Sequence, residues 1–169
     1  MPAVFLTGFM GSGKSTVGPL LAELLHWRFV DLDQRVETRV GSTVAEIFSR
    51  DGEAWFRQAE SDALREVVGE LEAYPAVVAL GGGALATPGN AARLAQYLVV
   101  HLDAPVEELW QRCQQQGSVR PLAQERVRFA SLHAERQTEY ATAAFRVHTE
   151  GRTPSCVAEM IQTWLDALK

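Results

Sequence analysis

The chain has 169 residues, of which 47% are hydrophobic and 22% charged, with a net charge of −5. That balance belongs to a folded domain rather than a disordered chain, and a domain of this length buries about two-thirds of its unfolded surface without needing disulfides. The acidic surplus argues against a nucleic-acid partner, and no apolar run approaches the ~20 residues that span a bilayer.

In chain order, β-rich runs alternate with runs of helical period. Ala3–Thr7 reads as the first strand, and Gly8-Phe9-Met10-Gly11-Ser12-Gly13-Lys14-Ser15 follows it directly. This is a complete G-x-x-x-x-G-K-[ST] match. Its glycines let successive backbone N–H groups turn inward around an anion, and the next helix adds its positive N-terminal end. Lys14 is expected to reach the β- and γ-phosphates of a nucleotide, and the Ser15 hydroxyl to coordinate Mg²⁺. Pro19 falls inside that helix, where it removes the bond to the Ser15 carbonyl and should bend the first turns.

The second strand is expected over Arg28–Leu32, with Asp31-Leu32-Asp33 closing it. Residues two apart in a strand share a face, so both carboxylates would look into one cleft. In phosphoryl transfer one carboxylate holds Mg²⁺, usually through water, and the other orients the acceptor hydroxyl and takes its proton. A solvated strand end with a helix cap is the plainer alternative. Thr43 and Glu46 have the spacing of a capping box. Beyond them Phe56, Ala59, Ala63, Leu64, Val67, Val68 and Leu71 make one apolar stripe on a long helix. Arg57 sits at the edge of that stripe, where its guanidinium suits a carboxylate, and Glu60 one turn on is placed to hold it.

Ala76–Leu80 is the third strand, and Gly81-Gly82-Gly83 after it permits close backbone approach to a ligand. Leu98–Leu102 is the fourth. The polar stretch Gln114–Gln124 reads as a mobile lid whose Arg120 would enter over the phosphates, and Arg136 follows on a helix with Tyr140 one turn on. Phe145–His148 is the fifth strand. Thr153 and Pro154 form an N-cap and N1 pair for a last helix with its stripe at Val157, Ile161, Trp164, Leu165 and Leu168. Arg112 and Arg152-Thr153-Pro154 would flank a flat base. Strands alternating with helices imply an α/β fold, a parallel sheet of five strands covered by helices on both faces, with ligands beyond the carboxyl ends of the strands.

The short apolar start lacks the basic residues of a signal peptide. Cys113 and Cys156 stand far apart and read as reduced thiols, and the four histidines lack metal-ligand spacing. A cytoplasmic protein without nucleic-acid or membrane partners is expected.

Taken together, these motifs resemble the shikimate kinase family, of the P-loop nucleoside-monophosphate-kinase-like fold, from the first strand almost to the C-terminus. The resemblance implies a single three-layer kinase domain over residues 1–169, with a lid at about 112–124 and a substrate-binding helical segment at about 33–61. It implies ATP contacts at Gly11, Ser12, Gly13, Lys14, Ser15 and Thr16, Mg²⁺ near Ser15 and Asp31, and Asp33 on the shikimate hydroxyls. Arg57 and Arg136 would hold the carboxylate, with Glu60 and Gly81-Gly82-Gly83 around the substrate. Arg120-Pro121-Leu122 is similar to the family's lid motif, and Arg112, Arg152 and Pro154 fall where the family cradles adenine. Lys14, Asp33 and Arg120 are the implied catalytic residues, in a monomer that binds shikimate and ATP. Three departures stand out: Leu32 between the aspartates, where a small hydroxyl residue is common; Ala123, where a second Leu is frequent; and Pro19, at a position often basic. The phosphate loop by itself leaves open a kinase for gluconate or a nucleoside monophosphate, or a catalytically silent ATP-binding module. Two arginines and an Asp favour a compact polyhydroxy carboxylate.

Overall fold

A computed structural model describes residues 2–115 and 125–168. Five strands, β1 (Ala3–Thr7), β2 (Arg28–Asp31), β3 (Ala76–Ala79), β4 (Leu98–Asp103) and β5 (Phe145–His148), form one sheet in the order β2-β3-β1-β4-β5. Every pairing is parallel. The connections therefore cross over, and they carry α1 (Lys14–Leu25), α2 (Leu32–Val40), α3 (Val44–Glu70), α4 (Pro88–Leu94), α5 (Val106–Gln115), α6 (Arg126–Tyr140) and α7 (Pro154–Asp166). The expected α/β architecture is the one observed.

Alternation along β1 divides the core into two layers. Ala3 and Phe5 join one apolar cluster with Val36, Leu64, Val67 and Phe129, whereas Val4 and Leu6 join another with Val17, Leu21, Val157 and Ile161. All four strand residues are fully buried, as a strand covered on both faces requires. Each buried Leu or Val of this kind contributes about 1.5–3 kcal/mol relative to an exposed position. Among the described residues, no helix is long and apolar enough to cross a membrane.

Several local expectations change. β2 ends at Asp31, not Leu32, and Leu32 opens α2 with its side chain fully buried in the core. Asp31 is the N-cap: its Oδ1 accepts from the Asp33 N–H at 3.0 Å and the Gln34 N–H at 3.3 Å. Capping energy thus terminates the strand, and Asp33 stands in the first turn of a helix rather than on a strand face. Helix α1 continues through Pro19, which lies exposed, so the expected bend does not interrupt it. Helix α3 is broken at Gly52, whose φ of 83° and ψ of 172° are not helical. The capping box at Thr43 and Glu46 forms as read, and Thr153 caps α7 by accepting from the Cys156 N–H at 3.3 Å. Residues 112–115, assigned to the lid from sequence, instead complete α5.

Candidate active site

Because all five strands run parallel, the loops after β1, β2 and β3 emerge on one edge of the sheet. The loop after β1 turns into α1 through Gly13, whose φ of 97° is left-handed and suits glycine. The first turn of α1 has no acidic residue and no side-chain cap, which leaves its positive end for an anion. Lys14 is buried against the loop and donates from Nζ to the Gly8 carbonyl at 2.7 Å and the Phe9 carbonyl at 3.2 Å. Ser15 Oγ donates to Asp31 Oδ2 at 2.9 Å. One oxygen of Asp31 therefore caps α2 while the other faces the phosphate loop. Gly11, Lys14, Ser15, Thr16, Asp31, Asp33 and Gly82 line a single cleft.

Ser15 Oγ and Asp31 Oδ2 are hard oxygen donors beside a phosphate loop. That set fits Mg²⁺, which keeps much of its water and takes one or two protein oxygens together with nucleotide phosphates. The described residues contain no cluster of three or more His, Cys, Asp or Glu side chains able to hold a metal by themselves.

The acceptor side is built around the glycines after β3. A Cβ placed on Gly81 would overlap Glu60 Oε1 and lie 2.9 Å from Asp33 Oδ1. On Gly83 it would lie 2.5 Å from Nη2 of Arg57 and 3.0 Å from Nη2 of Arg136. Two carboxylates thus converge on Gly81 and two guanidinium groups on Gly83, and both residues must lack side chains to admit them. Gly82, in the middle, faces the phosphate loop: its hypothetical Cβ would be 3.6 Å from the Gly8 carbonyl and 3.8 Å from the Met10 nitrogen.

Each charged group is held in turn. Arg57 donates to Glu60 Oε2 at 2.9 Å and pairs with Glu53 at 3.3 Å. Arg136 donates from Nη1 to both oxygens of Glu139, at 3.0 and 3.1 Å. Glu60 is fully buried, and its Oε1 has no hydrogen-bond partner among the described residues. Burial pushes its carboxyl up to about 6; Arg57 and Arg136 oppose the rise and Asp33 adds to it.

A shikimate kinase family model matches residues 10–168 of the chain. The shikimate kinase of Gloeobacter violaceus is 43% identical over 164 residues, covering 95% of this chain and 90% of its own length. That of Synechococcus sp. (strain RCC307) is 40% identical over 168 residues, covering 98% and 85%. The chain belongs to the shikimate kinase family. It is an ATP-dependent kinase whose acceptor is the alcohol shikimate. Among solved structures, the shikimate kinase from Acinetobacter baumannii in complex with shikimate matches with a TM-score of 0.92 at 34% identity, covering all of this chain and 95% of that one. The enzyme from Aquifex aeolicus matches at 0.82 and 32%, covering 98% and 96%.

Within this kinase, Arg112, Arg152 and Pro154 meet at one corner. Arg112 donates to the Gly11 carbonyl at 3.3 Å and to Thr149 Oγ1 at 3.0 Å, and pairs with Glu108. Arg152 donates to the His148 carbonyl, and Pro154 opens α7 two residues later. Arg112 thereby joins the phosphate loop to the turn after β5. Arg120, with Pro121, Leu122 and Ala123, lies outside the described residues. Sequence reasoning missed Glu139 and the break at Gly52; the run Arg50-Asp51-Gly52-Glu53 carried a turn signal inside the helical pattern.

Proposed function

We propose that this kinase transfers the γ-phosphoryl group of ATP to the 3-hydroxyl of shikimate, giving 3-phosphoshikimate and ADP, by direct in-line displacement. The observation that carries this reading is the convergence of Asp33, Glu60, Arg57 and Arg136 on Gly81–Gly83, next to the phosphate loop. Two guanidinium groups suit a planar carboxylate, and a neighbouring carboxylate suits a hydroxyl.

On this reading Gly11, Ser12, Gly13 and Thr16 line the phosphate site with their backbone, and Lys14 releases loop carbonyls to meet the β- and γ-phosphates. Bound Mg²⁺ would offset charge on the phosphate oxygens, and Ser15 and Asp31 are the residues that would hold it. Arg57 and Arg136 pin the acceptor's carboxylate and so fix where its 3-hydroxyl stands. As the new O–P bond forms and the bond from Pγ to ADP breaks, the hydroxyl proton passes to the Asp33 carboxylate. Glu60 anchors Arg57, and Gly81–Gly83 supply room and backbone contacts. Arg112, Arg152 and Pro154 are assigned to the adenine side. Arg120 is assigned to charge on the transferred group from its place in the sequence alone, as is the lid character of residues 116–124. The same reading takes the enzyme as a cytoplasmic monomer of one domain, with residues 33–61 receiving shikimate and no nucleic-acid or membrane partner.

Coupled ADP release with shikimate, gluconate and nucleoside monophosphates as acceptors tests the assignment, with ³¹P NMR of the product to fix the position esterified. Turnover confined to shikimate with a phosphate on O3 is expected. A product phosphorylated elsewhere, or equal turnover with a nucleoside monophosphate, would overturn it.

A further inference from the structure

Helix α6 touches the glycine segment twice. Arg136 approaches Gly83, and Tyr140, one turn further on, donates its phenolic hydroxyl to the Gly82 carbonyl at 2.6 Å. Residues four apart lie on one helix face, about 6 Å along the axis, so both contacts belong to a single face. Gly82 also faces the phosphate loop: a Cβ on it would lie 3.6 Å from the Gly8 carbonyl and 3.8 Å from the Met10 nitrogen. Gly82 thus neighbours both the helix that carries an acceptor-binding arginine and the loop that binds phosphate.

Tyr140 is itself immobilised. It is 2% exposed, and its ring lies 4.7 Å from the buried His101 ring at an interplanar angle of 33°. Burial pushes the His101 imidazole down to about 4 and the Tyr140 phenol above its usual range. Near neutral pH the imidazole is uncharged and the phenol keeps its proton. Beside Gly82 the ring is held by β4 through His101, and its hydroxyl reaches across to the turn after β3. A phenylalanine would fill the same volume, so packing by itself does not call for the hydroxyl.

We propose that Tyr140 is a positioning residue that sets the distance between the bound acceptor and the γ-phosphate, by tying Gly82, which faces the phosphate loop, to helix α6. The inference rests on the reading that Arg136 and the glycine segment hold shikimate. The hydroxyl takes no part in the chemistry: it carries no charge, and its hydrogen bond is spent on a backbone carbonyl. Its effect is geometric. Misplacement of reacting groups by about 1 Å can cost on the order of 100-fold in rate, whereas binding contacts survive such a shift largely intact.

The test compares Tyr140→Phe, replacement of Tyr140 by p-aminophenylalanine, and Arg136→Lys in steady-state ADP release, with thermal unfolding of each protein alongside. For Tyr140→Phe, kcat is expected to fall about 10- to 100-fold while KM for ATP and for shikimate each stay within about threefold. The amino variant, which returns an N–H donor to the same place, is expected to recover kcat to within about threefold of wild type. A residue with only a packing role would lower the unfolding temperature and leave kcat unchanged; a kcat within about twofold of wild type in folded Tyr140→Phe overturns the proposal. If the Phe variant fails to fold, the amino variant decides: a folded protein with about tenfold lower kcat overturns it, and wild-type kcat supports it. Arg136→Lys separates the two levels of the reading. If it leaves KM for shikimate unchanged, the acceptor assignment fails. If it raises KM while Tyr140→Phe leaves kcat intact, only the role of Tyr140 fails.

Discussion

Gly83→Ala isolates the acceptor clamp with one methyl group. The backbone at Gly83 has φ −115° and ψ 10°, which alanine adopts without left-handed strain. Its Cβ would stand 2.5 Å from Arg57 Nη2 and 3.0 Å from Arg136 Nη2, so at least one guanidinium must move. Neither moves freely, because Arg57 is tied to Glu60 and Glu53, and Arg136 to Glu139. Losing one charge-assisted contact to the substrate carboxylate costs about 1.5–3 kcal/mol, which at about 1.4 kcal/mol per decade is a KM for shikimate raised roughly 10- to 150-fold. Because the nearest atoms all belong to the two arginines, KM for ATP should change by less than about twofold. Steady-state ADP release with each substrate varied in turn gives both values, and a thermal melt checks that the variant is folded. A shikimate KM within about twofold of wild type in a folded protein would refute the reasoning, since the arginines would then be elsewhere when substrate is bound.

Asp33→Asn removes the proton acceptor and keeps the shape; kcat should drop about 10²- to 10⁴-fold with ATP affinity by calorimetry unchanged, and near-wild-type turnover would exclude Asp33 as the base. Glu60 holds its proton up to about pH 6. A carboxylate arriving beside it raises that value further, so shikimate binding should take up a proton and tighten as pH falls from about 7.5 to 6, by up to about tenfold for each pKa unit of added shift. Calorimetry in buffers of different ionisation heat reads the uptake directly, and Glu60→Gln should abolish it; an unchanged pH slope in that variant would contradict the assignment. One turn beyond Ser15, a Cβ at Gly18 would overlap Phe29 Cε2 and lie 2.9 Å from Cδ2, where α1 packs on β2. Gly18→Ala should therefore destabilise by about 1–3 kcal/mol and lower the melting temperature by several degrees, although the same change in an open helix would stabilise.

What could be read from the chain was what local chemistry decides. The phosphate loop follows from glycine spacing, Lys14 and Ser15, and the five strands from short apolar runs. Asp31-Leu32-Asp33 shows where local reading stops. Extension of the strand and capping of the next helix both fit those three residues, and the backbone chose the cap because Asp31 satisfies two N–H groups that α2 would otherwise leave open. Asp33 still reaches the cleft, by a different route. The Tyr140–Gly82 bond spans 58 positions, and no window along the chain contains both ends. The pairing of Arg136 with Glu139 had an ordinary i, i+3 spacing, but only the position of α6 against Gly83 gives it meaning.

The strand order has a consequence for how this molecule is made. β1 carries the phosphate loop and lies in the middle of the sheet, yet its two neighbours are β3 and β4, whose residues begin at 76 and 98. A nascent chain emerging from the ribosome therefore exposes its nucleotide-binding strand, apolar but for Thr7 and unpaired on both edges, until some seventy further residues have emerged. Helix α1 waits longer still, since its main helical neighbour is α7. Pausing synthesis before residue 76 has emerged should leave a species that chaperones recognise, whereas pausing once residue 103 has emerged should leave that strand shielded.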